Sequence, residues 1–195
     1  MIAAAAACGT QSGGHPEAGE IRTSPSAGFV TETRPTITTT IYFLTNDGSA
    51  PIGVRRTIKR KSPYAREALT VLLAGPTREE ERTGITSAIP NGTRLLSMTY
   101  KGHGADETLN LAGLPQNADV MQKARIITQM ARTVIGVSGI ERIWLRDGGR
   151  PWGLGLRDGR VYAGPWGYDQ LVGVDVGAGC PGTETVECDH FKALP

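Results

Sequence analysis

Apolar and polar side chains alternate through Thr40-Ile41-Tyr42-Phe43-Leu44, which puts Ile41 and Phe43 on one face, as a half-buried strand requires. Asn46-Asp47-Gly48 predicts a turn. Over 52–59, Val54, Arg56 and Ile58 alternate with Arg55, Thr57 and Lys59 as a second strand. The period then becomes helical: Ala65, Ala68, Leu69, Leu72 and Leu73 form one apolar stripe, with Arg66, Glu67 and Thr70 opposite. Ser62 is the expected N-cap of this helix and Pro63 its first-turn proline. A second helix is expected over 118–135. Val120, Ala124, Ile127, Ala131 and Val134 would line its inner side and Gln122, Arg125, Gln129 and Arg132 its outer side, with Asn117 capping it and Gly136 ending it. Between the helices, 93–100 and 107–111 read as strands around a Gly102-His103-Gly104 turn. Over 141–146, Ile143 and Leu145 point inward, and Arg142, Trp144 and Arg146 point outward. This order predicts an α+β fold, a small mixed β-sheet with two main helices packed on one face.

The stretch "LLAGPTREEERTGITSAIPNGTRL" (residues 72–95) is dense in punctuation, and each odd residue has a backbone role. Gly75 supplies a left-handed helix stop and Pro76 prevents continuation. Thr77 and Glu80 have the spacing of a capping box, so a short helical turn should follow and end near Gly84. Ile85 and Ile89 anchor the segment, and Pro90-Asn91-Gly92 turns it into the next strand. Consecutive acids on a helix diverge, so Glu79, Glu80 and Glu81 are expected on a solvated face rather than in a converging cluster.

Several segments together resemble the GerMN domain of bacterial sporulation and spore-germination proteins. They are "IYFLTNDG" (41–48), "LLAGPT" (72–77), "GITSAIPNGTRL" (84–95), "TQMARTV" (128–134) and "VSGIERIWLRDG" (137–148). The likeness spans about 37–148 and differs at Asn110, where the family pattern often has an acid. It implies a fold similar to ring-building modules, an envelope protein that is often a lipoprotein, and no catalytic residue to carry over.

Composition bounds the remainder of the chain. With 195 residues, 39% hydrophobic content and 26 glycines, one loop-rich domain with tails is expected. A formal net charge of +2 does not point to nucleic acid. Residues 9–36 are rich in Ser, Thr, Gly, Pro and Glu, and read as a disordered tether. Residues 37–148 form the GerMN-like domain and 149–195 a Gly/aromatic-rich C-terminal extension, with a hairpin around Asp158-Gly159. Residues 1–8 read as the remnant of a lipoprotein signal: small residues run into Cys8-Gly9 as in a lipobox, although no basic segment precedes them. Cys180 and Cys188 bracket a Pro-Gly turn and suit a disulfide of an exported protein. A metal site recruiting Asp189 and His190 matches no common zinc spacing.

Candidate chemistry is sparse. None of His15, His103 and His190 has a sequence-local nucleophile partner. The basic run from Arg55 to Lys61 reads first as the wet side of an edge strand, then as a membrane or partner contact, and last as a nucleic-acid site. Arg142, Trp144 and Arg146 form a candidate interaction face, since arginine and tryptophan are enriched in hot spots. Trp152, Tyr162, Trp166 and Tyr168 are candidates either for stacking against a glycan or small ligand, or for plugging the sheet end. The expectation is a non-enzymatic, extracytoplasmic lipoprotein anchored at the bacterial cell membrane through Cys8. It needs no cofactor or metal, binds an envelope protein partner rather than nucleic acid, and is compatible with self-association. Cell-wall glycan binding is the alternative.

Overall fold

The computed structural model describes residues 35–61, 63–101, 105–156 and 159–172. Strands β1 (Thr36–Leu44) and β2 (Pro51–Lys59) form an antiparallel hairpin. At its turn Asp47 accepts the Thr45 hydroxyl at 2.6 Å and the Ser49 N–H at 3.0 Å, and Gly48 takes φ +67°. Helix α1 (Tyr64–Leu73) follows and buries Ala65, Ala68, Leu69 and Leu72, the predicted stripe. Its N-cap position is Pro63, which makes no side-chain cap bond; Ser62 lies outside the described residues.

The corner after α1 is built as the sequence predicts. Gly75 adopts φ +81°, and α2 (Arg78–Arg82) opens on a capping box. The Glu80 N–H donates to the Thr77 hydroxyl at 3.3 Å, and the Thr77 N–H donates to Glu80 Oε2 at 2.8 Å. Glu80 nevertheless departs from the expected solvated face. Its carboxylate forms a bidentate ion pair with Arg56 of β2, whose guanidinium also lies 5.8 Å from the Phe43 ring centroid. The inward register of Arg56 puts a cation beside the core, and Glu80 neutralises it. Glu79, by contrast, is exposed and pairs along the helix with Arg82.

Beyond the corner, β3 (Arg94–Lys101) and β4 (Asp106–Ala112) pair antiparallel, with a bulge between Leu95 and Ser97. Helix α3 (Val120–Ser138) crosses over to β5 (Arg142–Asp147), which pairs parallel to β4, and β6 (Arg150–Pro151) adds at the edge. The mixed sheet therefore has the order β3-β4-β5-β6, and the β1–β2 hairpin stands as a separate sheet rather than joining it. Two short strands, β7 (Leu154–Gly155) and β8 (Val161–Tyr162), pair with each other ahead of α4 (Tyr168–Val172). Trp152, Leu154, Trp166 and Leu171 join Ile41, Phe43, Leu109 and Ile143 in one buried cluster, so residues beyond Gly148 complete the same core.

Helix α3 differs from expectation at both ends. Asp119, not Asn117, is the N-cap, accepting the Gln122 N–H at 2.7 Å. The helix runs through Gly136 and stops at Gly139, which takes φ +66°. Starting at the cap leaves Val120 exposed, whereas every residue from Ile126 to Ala131 is buried. Over this stretch the helix is buried all round, so polar positions there are interior too.

That burial gives Gln129 a role opposite to the outward one expected of it. The free edge of β1 faces α3, and its backbone needs partners. The Tyr42 N–H donates to Thr133 Oγ1 at 3.0 Å, and the Tyr42 carbonyl accepts from Gln129 Nε2 at 3.4 Å. Gln129 Oε1 accepts the Ala88 N–H at 2.8 Å, and Leu44 exchanges backbone bonds with Thr86 at 2.8 and 2.9 Å. Gln129 and Thr133, four residues apart on one helix face, thus take the place of a neighbouring strand. Replacing Gln129 by the similar-sized Leu strands the Tyr42 carbonyl and the Ala88 N–H. A loss on the order of 3 kcal/mol in unfolding free energy is expected by urea denaturation; an unchanged midpoint would show that these bonds contribute nothing net.

Candidate interaction surface

The four-stranded sheet has two unlike faces. Leu109, Leu111, Ile143 and Leu145 enter the core shared with α1 and α3. Because side chains alternate, Asp106, Thr108 and Asn110 of β4 and Arg142, Trp144 and Arg146 of β5 lie on the other face, in cross-strand pairs Asp106–Arg142, Thr108–Trp144 and Asn110–Arg146. Arg142 Nε donates to Asp106 Oδ1 at 2.7 Å. Arg146 Nη1 donates to the Gly149 carbonyl at 2.8 Å, while Asn110 Oδ1 accepts the Gly149 N–H at 2.8 Å. Asn110, the residue that departs from the acidic family pattern, therefore fixes the β5–β6 turn. Trp144 is half-buried between the two arginines. Beside it lies a pocket of about 220 Å³ whose walls include Thr108, Trp144, Arg146, Pro151, Tyr162 and Gly164.

The C-terminal aromatic residues do not form the stacking platform that the sequence offered. Trp152 is 2% exposed, donates its indole N–H to the Pro115 carbonyl at 3.2 Å and lies beneath the Lys123 ammonium. Trp166 is fully buried, because its backbone pairs with Ile143 at 2.8 and 3.0 Å and turns the indole inward. Interior indoles have no ring face left for a ligand. Tyr162 meets Trp166 edge to face at 4.8 Å between centroids and donates its hydroxyl to the Pro165 carbonyl at 2.9 Å. Tyr168 is exposed on α4, over Gly136 of α3. Of the four, only Tyr162 reaches the pocket beside Trp144.

A second, broader depression of about 560 Å³ lies over the corner, between Pro76, Ile85, Ala88, Pro90 and Gln122. Glu81 is its one ionisable wall residue among those described, so it assembles no acid–base pair. Among the described residues no cluster of three His, Cys, Asp or Glu side chains converges as a metal site.

One ionisable group escaped the sequence reading. Glu107 shares the inner face of β4 with Leu109 and Leu111 and is fully buried, with neither carboxylate oxygen hydrogen-bonded. The signal was present: in "DETLNLA" it occupies the same alternate positions as the two leucines. Burial pushes its carboxyl up to about 7, and the Arg66 charge on α1 offsets only part of that. A carboxyl raised in the folded state gives stability that is fully present below its unfolded value near 4.5 and lost as pH climbs through 7. Above that, the ionised form costs the fold about 3 kcal/mol. Glu107→Gln should therefore unfold at higher urea than the parent at pH 8 and match it at pH 4; equal midpoints at both pH values would refute the buried-acid assignment.

Lipidation at Cys8, the Cys180–Cys188 bridge and the Gly102-His103-Gly104 turn fall on residues outside those described. The sequence profile of the family described as Germane, sporulation and spore germination, matches residues 40–152. A search of curated protein sequences returns no match. Among solved structures, the first GerMN domain of the sporulation protein GerM from Bacillus subtilis superposes with a TM-score of 0.53 at 17% identity, covering 66% of this chain and 95% of that one. The tandem GerMN domains of the same protein give a TM-score of 0.50 at 17% identity, covering 68% of this chain and 45% of that one. These structural likenesses bear on the fold, and the profile match covers more than half of the sequence. With the Gly-Pro-Thr corner and the Gln129–Thr133 seal both inside the matched segment, the chain belongs to the Germane family of sporulation and spore germination domains.

Proposed function

We infer that this chain is a non-enzymatic interaction module of the bacterial envelope, held outside the cytoplasm by lipid at Cys8. Its head engages a protein partner through the outer face of the β3–β6 sheet. The observation carrying the reading is Trp144, set between Arg142 and Arg146 on the sheet face opposite the core residues Ile143 and Leu145. Aromatic and guanidinium groups supply large contact area and fixed donors, the combination that dominates interface energetics. The Asp106–Arg142 and Arg146–Gly149 bonds preorganise those donors, which lowers the entropy lost on docking. The family is not a known enzyme family, and the reading assigns no catalytic residue.

The anchor part rests on the run of small residues into Cys8, followed by a Ser/Thr/Gly/Pro-rich stretch long enough to set the reach of the head. No described helix is long and apolar enough to cross a membrane. The proposed attachment is acyl chains, which hold stably when two or more are present.

Two experiments test the halves separately. A photo-crosslinking amino acid at Thr99, exposed on the same sheet face, should give a discrete adduct in intact cells that disappears when Arg142→Glu and Arg146→Glu are combined. Adducts indifferent to that charge reversal would sink the proposed face. Separately, Cys8→Ser should move the protein from the membrane pellet to the soluble fraction with an unchanged unfolding midpoint; a variant that still sediments rules out the anchor.

A further inference from the structure

The β1–β2 hairpin has two edges, and they are treated differently. In an antiparallel ladder, alternate residues point their backbone groups at the partner strand and the others away from it. The bonds from the Thr45 N–H to the Ala50 carbonyl and from the Arg60 N–H to the Pro35 carbonyl continue the ladder at its two ends and fix the phase. Odd-numbered β1 residues face β2, and even-numbered β2 residues face β1. The Tyr42 N–H bonding to Thr133 agrees with that phase. Gly53, Arg55, Thr57 and Lys59 therefore direct their N–H groups away from β1. Among the described residues β1 is the only strand that pairs with β2. One edge of the hairpin is bonded by α3 at Tyr42 and by Thr86 at Leu44, and along the other no strand pairs among the described residues.

The side chains along this edge specify what can pair with it. On the solvent side Arg55, Thr57 and Lys59 are all exposed, and among them only Arg55 and Lys59 are charged. Arg56, the remaining cation of the strand, turns to the opposite side and is already matched by Glu80. That opposite side also carries Ile52, which is 36% exposed, and Val54, which packs against the core. A strand laid beside β2 would thus place one set of alternate side chains beside Arg55 and Lys59, and the other beside Ile52, Val54 and Ile58, with Arg56 already paired. A second copy of this edge would bring arginine and lysine against arginine and lysine, which is unfavourable across a ladder. Pro51, which lacks an N–H, closes one end of the row, and the Lys61 N–H occupies the Lys59 carbonyl at the other.

We propose that the open edge of β2 accepts a third strand from a protein partner, an extended segment in which acidic residues alternate with aliphatic ones. Main-chain bonds to Gly53, Arg55 and Thr57 supply the pairing, as in other cases of strand addition. Arg55 and Lys59 select for carboxylates, and the same two cations keep identical edges apart. This surface shares no residue with the outer sheet face, so it stands or falls independently of that reading.

The test uses the isotope-labelled full chain and the peptide Glu-Val-Glu-Ile-Glu-Val-Glu, alongside a twin N-methylated at the residues that would bond to β2. The plain peptide should shift the amides of Gly53, Arg55 and Thr57 and slow their hydrogen exchange, and the twin should bind more than about tenfold more weakly. Thr57→Pro, which removes an outward N–H and none of those facing β1, should abolish binding. Because a strand proline can also unfold the hairpin, the pair Arg55→Glu and Lys59→Glu gives a separate check: it should lose the acidic peptide and accept a lysine counterpart. Equal binding of the peptide and its twin, or no binding of either, overturns the proposal. So does perturbation of these three amides by phosphatidylglycerol vesicles or single-stranded DNA when the peptide leaves them unmoved.

Discussion

A strand edge that enters a protein interior must have its backbone polar groups bonded, and the rest of this structure depends on how β1 meets that demand. Among the described residues no strand pairs with β1 along its inner edge, apart from the short exchange between Leu44 and Thr86. Gln129 and Thr133 supply the missing donor and acceptor at Tyr42, and Gln129 also holds the Ala88 N–H. Helix α3 is therefore fixed in position, rotation and register relative to the hairpin. The same helix connects β4 to β5 in parallel, so its placement also sets the mixed sheet and the orientation of its outer face.

The corner between α1 and β3 works alongside that seal. Glu80 caps α2 through Thr77 and neutralises Arg56 of β2, which ties the short helix to the hairpin at two points. The segment that follows can then run back along β1, where Thr86 and Ala88 find their partners. Arg56 pulls the Glu80 carboxyl down from its ordinary value, whereas burial pushes Glu107 up. Glu80 is thus matched by a cation and Glu107 left without a hydrogen bond, each through the environment its strand or helix register dictates.

The surface that remains is divided by role. Helices and the C-terminal aromatic residues cover one side of the main sheet, and Arg142, Trp144 and Arg146 occupy the other. The hairpin repeats the asymmetry at its edges: among the described residues β1 is bonded at Tyr42 and Leu44, and β2 has no strand on its outer edge. Both features are what the proposed modes of recognition would use, side chains on the sheet face and main-chain pairing at the β2 edge.

Much of this was legible along the chain because it is local. The alternation in β5, the stripe in α1, the left-handed Gly75 and the Thr77–Glu80 box depend on spacing and backbone stereochemistry within a few residues, and those constraints act wherever the segment sits. The fold class and the outward placement of Arg142, Trp144 and Arg146 followed from them. What only the tertiary structure decided involves partners distant in sequence. Gln129 turned inward because the edge of β1 required its amide, and Arg56 could face the core because Glu80 waited there. Trp152 and Trp166 became interior residues because the chain after Gly148 returned to close the sheet and core. Helix α3 is buried all round only from Ile126 to Ala131, so there the polar Thr128 and Gln129 sit inside as well. A single side chain carries no record of which distant backbone group will need it, so pairing across the fold settles such residues and periodicity does not.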